Sequence, residues 1–550
     1  MGARARLFNR REGFGGHMPQ VRTMRAVAMG PHGMVASEHP LATLSGVDIL
    51  RHGGNAADAA VTVNAMLAVT TPYACGLGGD FFCLYYEASS GQISFLNGAG
   101  RSGSHATLEN LSRLGHQTLP LRGPLSVSVP GCVAAWQVLL ERFGSRMLSQ
   151  LIGAANGWAE EGVPCSLQVS QAIEEWRDAI DDPEWHRIWA PGGRVPQLGE
   201  MIRQPDLAET LRMIAADGAE VFYQGFIGKK IGQHLEALGS FVTVDDFARH
   251  CGEWGEPIAT TYRGYTVYET PPPTQGVAVL LGLNLLEAFE LGSLPLHSVE
   301  HLHLLAEAAK LAYADRDRWL ADPTEKNVPV KRLIDKVYAE ARRVLFDPKQ
   351  AQPFGRWGSP NGDTTGFVIA DPMGNVVSVI QSLYSSFGSG VAVPGTGVTL
   401  HNRGSYFNSD PSHPNHLAPR KRPFHTLIAA IVTKDDQPVM GFATMGADGQ
   451  AQFHMQVLTN VLDYGMDIQE AIERPRFLLG RSTLSEPNDT LRLEGRIDRR
   501  VTDQLAEMGH NVQIMDDWYH RVGHAHGVVK RGETWMGGAD PRSEGLALGF

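Results

Sequence analysis

The tetrapeptide Asp363-Thr364-Thr365-Gly366 constrains this chain more than any other feature. Upstream, residues 346–363 (FDPKQAQPFGRWGSPNGD) combine prolines and glycines with little apolar periodicity, which describes an irregular, accessible segment. Downstream, FVIAD, a turn at Pro372-Met373-Gly374-Asn375 and VVSVIQS carry the pattern of a β-hairpin buried on at least one face. A cut in the backbone before Thr364 would give one residue both a hydroxyl nucleophile and a free α-amine. Such an amine, with an ordinary pKa of about 8, suits the role of base near neutral pH. The feature therefore points to a hydrolase with an N-terminal nucleophile, activated by cleaving its own chain. On these four residues alone, a hydroxyl-rich loop entering a strand is the commoner explanation.

Composition narrows the classes. The 550 residues suffice for one large or several ordinary domains, and 43% hydrophobic with 19% charged residues is a globular balance. A net charge of -11 argues against a nucleic-acid partner, because phosphate binding needs a basic surface. No apolar run has the length of a membrane span. The five cysteines (Cys75, Cys83, Cys132, Cys165, Cys251) contain no C-x-x-C pair, a sparse, odd set that fits reduced thiols. Residues 1–25 hold six arginines and one glutamate, including Arg10-Arg11. No apolar stretch follows that pair, so the expectation is a poorly ordered basic arm over 1–25 and a cytoplasmic protein.

Local signals describe a mixed α/β protein. Asn55 caps a helix running to about Val69, after Gly53-Gly54 end the preceding one. Ser298 caps a long helix to about Leu320, and Asp467 with Glu470 has capping-box spacing before a helix that ends at Pro475. Strands are short and apolar: DFFCLYYE, the hairpin after Thr364, TLIAAIV and VMGFAT. Pattern alone goes no further than the α/β class.

Seven stretches in order carry a family resemblance. GMVASEHPLAT with GVDILRHGGNAADAAVTVNAMLAVTTPYACGLGGDFF resembles the opening of the γ-glutamyltransferase family. SVPGCVAAW, PPPTQG, AEAAKLAYADRDRWLADP, RKRPFHT, DYGMDIQEAIERPRF and ADPRSEG follow in family order, so the resemblance runs from about residue 30 to the C-terminus. It implies an αββα sandwich of four layers and a nucleophile at Thr364. It also implies a cleavage between Asp363 and Thr364, leaving a large subunit of 26–363 (after the arm) and a small one of 364–550. The two would share one core and stay associated.

The resemblance then assigns a site, residue by residue. Ser382 falls where the family has a threonine that hydrogen-bonds the nucleophile; a strand serine facing solvent is the alternative. Gly446 and Ala447 match the backbone oxyanion donors, provided that Ala447 tolerates the required dihedrals, since a Cβ penalises positive φ. The arginine that grips a glutamyl α-carboxylate aligns with Ala99; Arg101 lies two residues on and is either a substitute or a solvated loop arginine. Tyr384 replaces an asparagine, Tyr406 replaces the acid that holds the substrate amine, and His425-Thr426 replace paired serines. Arg403 stands in place of a neutral side chain. Without the acid, a substrate ammonium has no partner, whereas an arginine fork suits a carboxylate. The string LHNRGSYFNSDPSHPNHLAPRKRPFHT resembles the γ-glutamyltransferase-like amidohydrolases, a branch that includes oxamate amidohydrolase. The pocket residues thus expected are Arg101, Tyr384, Arg403, Tyr406, His425 and Thr426, with His425 alternatively a packed core histidine.

Other constellations carry less. Gly76-Leu77-Gly78-Gly79 lacks the dinucleotide spacing and fits backbone packing. His524 and His526 share a strand face without a third metal ligand in spacing. Glu307, Asp315 and Arg316 on the long helix suit ion-paired surface or packing roles. Neither a cofactor nor a metal is called for, and the expected partners are a small amide, water, the cleaved subunit and possible further copies. Three functions stay open: a small-amide hydrolase, a γ-glutamyl transferase or β-lactam side-chain acylase, and an uncut binding protein.

Overall fold

The computed structural model describes residues 23–353, 363–480 and 489–550. Most of the expected basic arm, and residues 354–362 of the segment before Thr364, lie outside the described residues. At the arm's end, Arg25 is fixed: its backbone N–H donates to Glu473 at 3.0 Å and its guanidinium to the Ser543 carbonyl at 3.3 Å.

Among the described residues, two seven-stranded antiparallel sheets form the centre. The first runs, in spatial order, Leu546–Gly549, Met34–Ser37, Asp363–Ala370, Val376–Tyr384, Asp80–Glu87, Gln92–Gly98 and Glu253–Gly255. The second runs Ala28–Gly30, Thr534–Ala539, Ala525–Arg531, Gln437–Thr444, Ala429–Lys434, Tyr265–Glu269 and Ile258–Tyr262. Strand periodicity assigns the faces. Val368, Ala370, Ile380, Phe82 and Leu84 point toward the second sheet and meet Ala429, Ile431, Ala443 and Val528. Their neighbours Phe367, Ile369, Val377 and Val379 point outward into a helical layer that includes Pro40–Arg51, Ala56–Thr70 and Cys132–Phe143. On the far side, Val267, Ala430, Val432 and Phe442 pack under Gly276–Leu286, Val299–Trp319 and Gln450–Leu462. The order is helix, sheet, sheet, helix: the αββα sandwich.

The local signals hold where the sequence placed them. Asn55 and Asp58 form a reciprocal capping box on Ala56–Thr70, Ser298 caps Val299–Trp319, and Asp467 accepts from Glu470 N–H at 2.9 Å on Ile468–Glu473. Asp371 organises the hairpin turn, accepting from Met373 and Asn375 N–H, each at 2.9 Å. The same carboxylate takes the Ala56 N–H at 2.9 Å, tying the hairpin to the start of that helix. One strand is shorter than its apolar run: TLIAAIV is extended only from Ala429, because His425 N–H turns aside to the Pro273 carbonyl at 2.8 Å.

Two glycines bring backbones close enough to build the site. A Cβ on Gly366 would lie 2.9 Å from Ala443 Cβ, so this glycine lets the sheets approach where the Thr364 strand begins. A Cβ on Gly79 would lie 2.4 Å from the Ser382 carbonyl, and the Gly79 carbonyl itself accepts from Gly131 and Cys132 N–H, each at 3.0 Å. The glycine-rich loop is thus a backbone-packing device. All five cysteines are free thiols, and only Cys251 is exposed.

Candidate active site

Thr364, at the start of strand Asp363–Ala370, points between the sheets like Val368 and Ala370 and is 1% exposed. Its Oγ donates to Ser382 Oγ at 3.0 Å, and Ser382 Oγ donates to the Asp363 carbonyl at 2.6 Å. That carbonyl belongs to the peptide bond before Thr364. The hydroxyl of one residue and the carbonyl preceding it are therefore bridged by a single second hydroxyl. A register irregularity makes the bridge: Asp363 pairs with Tyr384 but Thr365 with Gln381, so an extra residue sits on the partner strand beside Ser382. Tyr384 N–H donates to Ser382 Oγ at 2.7 Å, and its own φ of 77° shows the local cost of the bulge. The Asp363 side chain accepts from Ser386 Oγ; burial pushes its carboxyl up to about 6.

The turn after strand Gln437–Thr444 faces this end of the hairpin. Gly446 has φ 135° and Ala447 φ 49°, so Ala447 does take up the left-handed backbone that its Cβ disfavours. A buried frame holds it there. Arg316, 1% exposed, donates to Gln275 Oε1 at 2.7 Å and Asp448 Oδ1 at 2.8 Å. Gln275 in turn donates to the carbonyls of Thr426 at 2.8 Å and Ala447 at 3.2 Å. Arg316 is thus an internal strut reaching from the long helix to the turn, not a surface ion pair. Its Gln275 partner lies in PPPTQG, whose motif the sequence displays without showing this contact.

The pocket residues gather about Arg403. This side chain is 1% exposed, donates to Thr426 Oγ at 3.2 Å, and stacks 4.1 Å over the Tyr384 ring. Tyr406 lies edge-on to Tyr384 at 5.5 Å and donates its hydroxyl to Asp448. Arg403 Nη1 has no hydrogen-bond partner among the described residues, nor has either ring nitrogen of His425. Burial and the neighbouring Arg403 hold the His425 imidazole well below its ordinary value, so it is neutral. His425 also rests edge-on against Phe82 at 4.9 Å. Tyr384, Arg403, Tyr406 and Thr426 are therefore joined by direct contacts. Arg101 is engaged elsewhere: its guanidinium lies 3.3 Å from Asp322, 3.7 Å from Glu253 and 3.1 Å from the Arg420 carbonyl.

Most of the candidate metal ligands are taken up in hydrogen bonds, whereas neither ring nitrogen of His526 has a hydrogen-bond partner among the described residues. His524 Nδ1 lies 2.6 Å from Glu38 Oε1. Buried His303, Glu307 and His510 bring ligand atoms within 4.8 Å of one another. Yet His303 Nδ1 pairs with His510 Nε2 at 2.9 Å, His303 Nε2 with the Asp347 carbonyl at 2.7 Å, and Glu307 with Lys310 at 2.6 Å. The Asp347 contact, together with Lys310 Nζ donating to the Gln352 carbonyl at 2.9 Å, anchors residues 347–352, which lead toward Thr364.

With this geometry in place, comparison with known proteins is informative. A family model described as gamma-glutamyltranspeptidase matches residues 42–550. The glutathione hydrolase-like YwrD proenzyme of Bacillus subtilis (strain 168) is 40% identical, covering 96% of this chain and 100% of the relative. The oxamate amidohydrolase proenzyme of Klebsiella pneumoniae is 36% identical over the same shares. Among solved structures, the cephalosporin acylase from Bacillus halodurans superposes with a TM-score of 0.89 at 35% identity, covering 98% of this chain and 99% of that one. No described helix is long and apolar enough to cross a membrane.

Proposed function

Since this chain belongs to the gamma-glutamyltranspeptidase family, a family of amide-bond hydrolases made as proenzymes, we propose that it cleaves itself before Thr364 and then hydrolyses a small carboxylated amide. The observation that carries the first half is the relay from Thr364 Oγ through Ser382 Oγ to the Asp363 carbonyl. Attack of Thr364 Oγ on that carbonyl carbon forms a C–O bond. The hydroxyl proton passes to Ser382 as the Ser382 proton moves to the carbonyl oxygen. On collapse the proton on that oxygen passes to the nitrogen, the C–N bond breaks, the nitrogen leaves as the Thr364 amine, and water hydrolyses the ester. The large piece then ends in a carboxylate at Asp363, and the small piece begins at Thr364.

In turnover the freed amine takes the Thr364 Oγ proton as the oxygen attacks the substrate amide. Backbone N–H groups of Gly446 and Ala447 meet the oxyanion, and the amine product leaves with a proton. Water then hydrolyses the acyl ester. Substrate class rests on Arg403: a buried guanidinium with an open Nη1 matches a carboxylate, and Tyr406 supplies no anion for an ammonium. Thr426, His425 and Tyr384 surround Arg403. An oxamate-like acyl group meets these demands, and the oxamate amidohydrolase relative is consistent with it. A second reading, acylase action on a bulkier side-chain amide, is favoured by the similarity to a cephalosporin acylase.

A screen of ammonia release from oxamate, malonamate, succinamate and the uncharged acetamide, beside aniline release from γ-glutamyl anilide, tests the choice. Turnover of the carboxylated amides, lost in Arg403→Gln, is expected. Turnover of γ-glutamyl anilide alone would contradict it.

A further inference from the structure

Arg403 is a buried cation, and two acids lie near it. Asp448 is occupied by Arg316 and Tyr406. Asp80, 1% exposed, is the other acid near it. Asp80 pairs directly with Ser382 across the sheet, so its side chain shares the face and end of the strand that hold Thr364. Its Oδ1 accepts from Gly100 N–H at 3.0 Å, while Oδ2 has no hydrogen-bond partner among the described residues. Oδ2 lies 3.4 Å from His401 Nδ1 and 3.7 Å from His425 Nε2.

The hydrogen bonds of His401 fix where its protons are. Its Nε2 is 2.8 Å from the Ser128 carbonyl, which only accepts, so Nε2 carries the hydrogen. Its Nδ1 receives the Arg403 backbone N–H at 3.3 Å and therefore presents a lone pair. That lone pair is already taken by the Arg403 N–H, and no described donor reaches Asp80 Oδ2, so an ionised Asp80 would be a buried anion with one oxygen unpaired, which favours the neutral carboxyl. Burial pushes the Asp80 carboxyl up and the His401 imidazole down, both in the direction of the neutral forms. The other titratable or charged groups facing Asp80 are Arg403, His425, Cys132 and Tyr223.

We propose that Asp80 sets substrate specificity in its neutral form: protonated, it leaves Arg403 open to a substrate carboxylate; ionised, it competes with that carboxylate for the same cation. This rests on the reading of Arg403 as the carboxylate grip. Asp80 acts through Arg403 and is a positioning residue, so its signature belongs in KM.

The test is KM for oxamate from about pH 5 to about pH 10, in wild type and Asp80→Asn. Asparagine keeps the Oδ1 acceptor and cannot ionise. In wild type, KM should climb about tenfold per pH unit once Asp80 ionises, and in Asp80→Asn that climb should vanish. A flat wild-type KM, a parallel climb in the variant, or weaker binding of the variant at every pH overturns the proposal. Titration calorimetry of the wild-type enzyme with malonate, in two buffers of different ionisation heat, gives an independent check. Uptake approaching one proton on the alkaline side is expected; no malonate binding, or binding without uptake, overturns it. If oxamate is not turned over but malonate binds with proton uptake, the substrate reading fails and the Asp80 assignment stands.

Discussion

Ser382 and Ala447 are the residues whose individual chemistry is most exposed to test. Ser382 both receives the Thr364 hydroxyl and polarises the Asp363 carbonyl. Removing one such donor typically costs about 10²- to 10³-fold in rate, so Ser382→Ala is expected to slow self-cleavage on that scale in a time course. Ser382→Thr, which keeps the hydroxyl, should restore it; a Thr variant as slow as Ala would contradict the relay. Ala447 holds a φ of 49° that glycine adopts freely. Ala447→Gly should therefore raise stability by up to about 1 kcal/mol, seen as a higher thermal midpoint with turnover kept, and a lower midpoint would mean that the Cβ is packed rather than tolerated. At this scale aligned motifs brought Thr364, Ser382 and the residues around Arg403 forward, and the fold links them through Ser382 and Tyr384; their roles are what the variants test. Asp80, His401 and Gln275 were not singled out, because their roles arise from contacts with residues hundreds of positions away. Arg316 looked like any arginine on an amphipathic helix until Asp448 was folded against it.

Between residue and fold, the elements show which signals travel through the chain alone. Caps are local, so Asn55, Ser298 and Asp467 mark their helices as they stand in the sequence. The end of a strand is set by its neighbour, so the run before Ala429 gives no sign that His425 leaves the sheet for Pro273. Close sheet contact is likewise invisible in a single strand. The Gly366 contact with Ala443 predicts that Gly366→Ala forces the sheets apart at the nucleophile's end, costing about 1–3 kcal/mol. The expected readout is a lowered thermal midpoint together with slowed self-cleavage; a midpoint equal to wild type would show that the gap between sheets closes by relaxation.

For the whole molecule, residues on either side of Asp363 share both sheets. In the first, Asp363–Ala370 and Val376–Tyr384 lie between Met34–Ser37 and Asp80–Glu87; in the second, Ala429–Lys434 pairs with Tyr265–Glu269. Apolar patterning reached only the mixed α/β class, and the four layers came from the family resemblance, because layer order depends on which strands pair at long range. The central claim is that this interleaved chain is cut at one bond by Thr364. Intact mass measurement of freshly purified protein beside Thr364→Ala, after native size exclusion, tests it most directly. The account predicts two co-eluting fragments, residues 1–363 and 364–550, in the wild type and one uncut chain in the variant. A single uncut mass in both, persisting on incubation, would contradict it.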